Sequence, residues 1–165
     1  MTKTSLFTHA APQQLLRSVT GGRIDRDIPV SFTFDGRTYQ GYQGDTLASA
    51  LLANNVHLVG RSFKYHRPRG ILTAGSEEPN ALVRVGRGAY AEPNLRATQV
   101  EIHDGLYAES QNRFPSLKCD VGAVNSALQS FFPAGFYYKT FMWPASMWMT
   151  YEHVIRRAAG HMKVL

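Results

Sequence analysis

Residues 61–70, RSFKYHRPRG, place Arg61, Lys64, Arg67, Arg69 and His66 within ten positions. Cations at this density suit an anionic partner. Arginine meets phosphate or carboxylate with a planar fork, and lysine meets them as a point charge. Pro68 has a fixed φ and biases Arg67 toward an extended conformation, so Arg67 and Arg69 are expected on a stiff segment. The remaining chemical candidates are weaker. Ser76-Glu77-Glu78 offers adjacent carboxylates, but adjacency in sequence does not make an acid/base pair. Gly86 to Ala91 matches G-x-G-x-x-A after a strand, yet Glu92-Pro93 interrupts where a helix must begin. Gly86 and Gly88 therefore read as turn residues. The six histidines show no metal-ligand spacing, and the single cysteine, Cys119, excludes an internal disulfide and a multi-cysteine metal site. Neither a catalytic residue nor a metal site is expected.

A net charge of +6 is compatible with nucleic acid, a phosphorylated cofactor or an acidic protein face. Phe63 and Tyr65 interleave with the cations and could stack on bases, so a basic single-stranded nucleic-acid-binding module stands as the alternative function. The first residues, MTKTSLFTHAAPQQLL, lack the apolar run and small-residue cleavage site of a signal peptide. The apolar stretch FYYKTFMWPASMWMTY is short, carries Lys139 and is broken by Pro144, so it is not expected to span a bilayer. A cytoplasmic setting is expected.

The elements that must position the basic loop follow from local patterns. Residues 1–25 read as an N-terminal arm. Val30, Phe32 and Phe34 alternate with Ser31, Thr33 and Asp35, which predicts a half-buried strand, and Asp35-Gly36 predicts a hairpin into RTYQGYQ. Asp45 is the expected N-cap of a helix carrying Leu47, Ala50 and Leu51, with Asn54-Asn55 as its stop. After the basic loop, ALVRV reads as a strand. TQVEIHDGLYAES reads as a last hairpin turned at Asp104-Gly105. Residues 26–112 thus form an α+β domain, a mixed sheet around one helix in the order of a β-grasp. Residues 113–165 read as a helical extension. There Asp120 caps a helix with Val121, Val124, Leu128 and Phe131 on one face. Ser146 caps another with Trp148, Tyr151, Ile155 and Ala158. Between these helices Phe136, Tyr137, Tyr138, Phe141 and Trp143, continued by Trp148, make a strip too apolar for a free surface loop, expected to dock on another domain or subunit.

The strings RSFKYHRPRG, GDTLASALLAN before it and RATQVEIHDGLYAESQNRFPSL after it resemble the N-terminal region of the alpha subunit of heterotetrameric sarcosine oxidases. DVGAVNSALQSFFPAGFYYKTFMWP and YEHVIRRAAG resemble the segment that follows there, so the resemblance covers about residues 22 to 160. It implies a ferredoxin-like β-grasp domain. In cousins such as opine oxidase and hydrogen cyanide synthase subunits, the loop after RPRG carries C-x4-C-x2-C, with a fourth cysteine downstream. Laid on this chain, those positions fall at Thr73, Glu78, Ala81 and Thr98. None supplies the thiolate that a 2Fe–2S cluster requires. The resemblance thus implies a cluster-type domain without an iron–sulfur cluster.

For the whole enzyme it implies oxidative demethylation of sarcosine to glycine, with FAD, FMN and NAD in the complete complex and none held by this chain alone. The expected partners are the remainder of the alpha subunit and the other sarcosine oxidase subunits. Family alpha subunits run on from RRAAG into an NAD-binding fold and a folate-binding domain. Here HMKVL follows, so a truncation, a split gene or an expression fragment, inactive alone, is expected.

Overall fold

The computed structural model describes residues 14, 16–124 and 145–158. Val30, Phe32 and Phe34 of β1 (Asp25–Phe34) are buried, while Ser31 and Thr33 between them are half-exposed, as strand alternation requires. Asp35 and Gly36 both take positive φ (49° and 76°), and the chain returns antiparallel as β2 (Arg37–Gln43). This is the twist that a two-residue hairpin loop needs. The helix α1 (Leu47–Ala53) buries Leu47, Ala48, Ala50 and Leu51 against the sheet residues Phe32, Val83, Leu106 and Ala108. It stops at Asn54, as expected.

Two short strands, β3 (Gly60–Arg61) and β4 (Pro68–Arg69), pair across the basic loop. The main sheet is completed by β5 (Leu82–Val85), β6 (Glu92–Arg96) and β7 (Leu106–Ser110), in the order β2-β1-β7-β5-β6. The β1–β7 pair is parallel and the other pairs are antiparallel. The domain is α+β, a mixed sheet against one helix on the ferredoxin-like β-grasp plan. Gly86 and Gly88 take φ of +90° and +61°, so both are turn residues in the β5–β6 connection.

Two expectations need correction, and one strand was not foreseen. The N-cap of α1 is Thr46, not Asp45. Thr46 accepts from the Ser49 amide at 3.2 Å, and Ser49 Oγ accepts from the Thr46 amide at 3.0 Å. Asp45 instead turns inward. The Asp104-Gly105 turn does not close a hairpin. Residues 97–102 give their carbonyls and amides to the start of α1: Leu47 donates to Val100, Ala48 to Ala97, and Ile102 to Asp45. That leaves β7 to pair with β1 and β5. No α-helix begins at Glu92-Pro93, as expected; the unforeseen strand β6 opens there instead. Pro93 is tolerated there because β6 lies at the sheet's edge.

Beyond the sheet, Asp120 accepts from the Gly122 amide at 3.2 Å and starts a 3-10 turn over Val121–Ala123. The continuation through Leu128 and Phe131 lies outside the described residues, as do Phe136, Tyr137, Tyr138, Phe141 and Trp143. Ser146 falls within a 3-10 turn (Ala145–Met147) that leads into α2 (Trp148–Ala158), where Trp148 is half-exposed. Among the described residues no helix is long and apolar enough to cross a membrane.

Candidate functional site

The chain leaves β4 through Gly70, where a Cβ would lie 2.7 Å from the His57 carbonyl, so only glycine fits. It then curls around Glu78, whose side chain is fully buried. Oε2 accepts from the amides of Leu72 (2.8 Å) and Thr73 (2.5 Å) and from the Thr73 hydroxyl (3.3 Å). Oε1 accepts from the amides of Asn80 (2.7 Å) and Ala81 (3.0 Å). Burial pushes this carboxyl up, but the four amides outweigh it and hold its pKa at about 2, against an ordinary 4.5. Thr98 closes the same loop by donating from Oγ1 to the Gly75 carbonyl at 2.7 Å. Thr73, Glu78 and Ala81 share this loop, and Thr98, seventeen residues beyond Ala81, is brought to it through Gly75. At its centre is a carboxylate.

The basic loop is divided between an inner and an outer set. Arg61 is nearly buried. Its guanidinium donates to the carbonyls of Leu117 (2.9 and 2.5 Å) and His66 (2.7 Å), and Nε lies 3.3 Å from Asp120 Oδ2. His66 takes φ +51° and places Nδ1 2.7 Å from the same oxygen. The other oxygen of Asp120 accepts from the Phe114 and Gly122 amides at 2.9 and 3.2 Å. Burial raises the Asp120 pKa, but the Phe114 amide, His66 and the Gly122 amide together bring it below its ordinary value. Arg61 and His66 thus tie the loop to the segment that follows the sheet. Lys64, Arg67 and Arg69 are exposed. Lys64 Nζ and Arg67 Cζ lie 5.0 and 4.9 Å from the Tyr65 ring centre, and Arg69 donates to Asn80 Oδ1. An open cleft of about 390 Å³ runs between Arg61, Phe63, Arg69, Asn80 and Asn94, with no acidic residue in its lining.

Among the ionic contacts that escaped the sequence reading, two centre on buried carboxylates. Arg17, in the N-terminal arm, holds Asp45 through both terminal nitrogens (3.0 and 2.5 Å) and stacks over Tyr42 at 5.2 Å. Asp120, read only as a cap, is the hub just described. No spacing rule announces either, since the partners are 28 and more than 50 residues apart. Gly75 and Pro79 mark a loop around Glu78, but nothing in the sequence marks the carboxylate as its centre. Among the described residues no group of three or more His, Cys, Asp or Glu side chains is placed to hold a metal ion.

Residues 27–113 match the family of the 2Fe-2S iron-sulfur cluster binding domain. The chain is 70% identical over 140 residues to sarcosine oxidase subunit alpha of Rhizobium meliloti, covering 84% of this chain and 14% of that protein. It is 48% identical over 101 residues to the subunit of the same name from Corynebacterium sp. strain U-96, covering 59% and 10%. Among solved structures, L-proline dehydrogenase from P. horikoshii aligns over 64% of this chain and 18% of its own, with a TM-score of 0.45 and 27% identity. The chain spans about a seventh of the length of the first of these relatives. A ferredoxin-type 2Fe–2S group is held by four thiolates. The single cysteine, Cys119, is exposed and lies beyond the sheet, and the amides of the 71–81 loop are already spent on Glu78. The residues present do not fit that group. Through residues 27–113 the chain belongs to the 2Fe-2S iron-sulfur cluster binding domain family, as a member whose loop closes on a glutamate.

Proposed function

We propose that this chain is the N-terminal portion of the alpha subunit of a sarcosine oxidase-type flavoenzyme, in which it serves as a structural and assembly domain. The observation that carries this reading is the 70% identity over 140 residues, which runs past the cluster-type domain into the C-terminal extension. In the complete enzyme, FAD, FMN and NAD belong to the other parts, and sarcosine is demethylated there. The relatives favour this reading over a nucleic-acid-binding module. The chain alone turns over no sarcosine and binds no iron–sulfur cluster. Stoichiometric iron and labile sulfide in protein made under iron-replete conditions would overturn the second statement.

Assembly uses two surfaces. The outer cations Lys64, Arg67 and Arg69 meet an acidic face or a cofactor phosphate, held in place by Arg61 and His66 from within. The aromatic strip, Phe136, Tyr137, Tyr138, Phe141, Trp143 and Trp148, supplies the apolar contact. The test changes Arg67 and Arg69 to Gln in the assembled enzyme. Loss of subunit association or flavin content supports the reading, whereas full assembly, flavin content and turnover sink it.

A further inference from the structure

The buried carboxylate of Glu78 has no role in that proposal, yet it is the most heavily hydrogen-bonded side chain of the domain. Five donors converge on it, and four are backbone amides. Among the described residues no lysine, arginine or histidine forms an ion pair with it. The neighbouring charges look elsewhere. Arg96 of β6 donates to the Glu78 carbonyl at 3.2 Å, Arg69 is held on Asn80, and the adjacent Glu77 is exposed. The compensation for this buried charge is therefore the amide dipoles of the loop. Backbone amides converging on one point form an anion-binding concavity, a device used at phosphate and iron–sulfur sites. Here the concavity holds an anion that the chain carries itself.

We propose that the 71–81 loop is a backbone anion nest whose resident ligand is the Glu78 carboxylate, and that emptying it creates a site for a small external carboxylate. The two oxygens divide the work. One gathers the strand-side amides of Leu72 and Thr73, and the other gathers those of Asn80 and Ala81 at the entrance to β5. A carboxylate can bridge the two pairs because it offers acceptor sites on both atoms. A carboxamide cannot, because one of its two heavy atoms is a donor and would face donors. The fragment lost in Glu78→Ala is a methylene plus a carboxylate, which is the size and charge of acetate. Acetate is thus the ligand the emptied nest fits, and chloride is the control for charge alone.

The experiment uses the full chain as wild type, Glu78→Gln and Glu78→Ala. Thermal unfolding is followed in chloride and in acetate at equal ionic strength and neutral pH. Both variants should unfold at least roughly 10 °C below wild type, since each leaves buried amides unpaired. Acetate should raise the midpoint of Glu78→Ala saturably and leave wild type unmoved. If Glu78→Ala does not fold in chloride, recovery of the folded spectrum in acetate supports the proposal and failure to recover counts against it. Hydrogen exchange at Leu72, Thr73, Asn80 and Ala81 should quicken in Glu78→Gln by about tenfold or more. A Glu78→Gln chain as stable as wild type, with those amides still protected, overturns the proposal. So does a Glu78→Ala chain on which acetate acts no differently from chloride. The inference stands apart from the assembly role: a failed docking test leaves it untouched.

Discussion

The 61–69 and 71–81 loops follow one another in the chain and are both charged, yet they treat charge in opposite ways. The first carries cations outward on a stiffened ribbon, while its inner members, Arg61 and His66, meet the carboxylate of Asp120. The second turns a single anion inward and surrounds it with its own amides. The difference teaches that a charged residue's role is decided by what replaces its water. Where protein donors replace water completely, the charge holds the fold together. Where water remains beside the charge, as at the exposed guanidinium of Arg67, the charge adds little to the fold.

Asp120 sits on the boundary between these regimes, and its removal should have the largest effect. Asp120→Ala strips a buried carboxylate from Arg61 and His66 and leaves the Phe114 and Gly122 amides unsatisfied, at a cost of about 3–5 kcal/mol. Urea denaturation measures it, and a loss below about 1 kcal/mol would break the comparison by showing that the cluster is dispensable. The acid limb comes next. The Glu78 pKa is lowered in the fold, so its contribution is fully present above about 4.5 and disappears as the pH falls toward about 2. The shift at Asp120 has the same sign. Stability measured from pH 6 to pH 2.5 should fall through this window, and Glu78→Gln should flatten the fall. Arg17→Ala is smaller. It leaves Asp45 buried with only the Tyr42 amide and Ser49 hydroxyl as partners, and should cost about 1–3 kcal/mol by chemical denaturation. The smallest effect belongs to the outer cations. Arg67→Gln with Arg69→Gln should change the stability of the isolated chain by less than about 1 kcal/mol. A larger loss would move them into the structural set and weaken the assembly reading.

What could be read in the sequence was what the chain does locally. The alternation through Val30, Phe32 and Phe34, the Asp35-Gly36 turn and the stop at Asn54 are written in adjacent residues, and each stands where expected. The capping residue was missed by one because Asp45 and Thr46 are both good caps, and burial of Asp45 against Arg17 decides between them. The strand β6 and the placement of β7 depend on partners far along the chain, for which no local pattern exists. The Glu78 nest was illegible for a different reason. Four of its five donors are amides, which every residue but proline possesses, so no letter in the sequence marks them. The outer cations were visible in composition alone.

The central position of β7 bears on when this domain can form during synthesis. Until residues 106–110 emerge, β1–β2 and β5–β6 are two separate hairpins, because β7 alone pairs with both. Hairpins of that size are marginal in water, and closing the loop from β1 to β7 carries an entropic cost set by the intervening seventy or so residues. The nascent chain therefore passes the ribosome exit with Phe32, Phe34 and Val83 uncovered, and gains its core in one late step when Leu106 and Ala108 arrive.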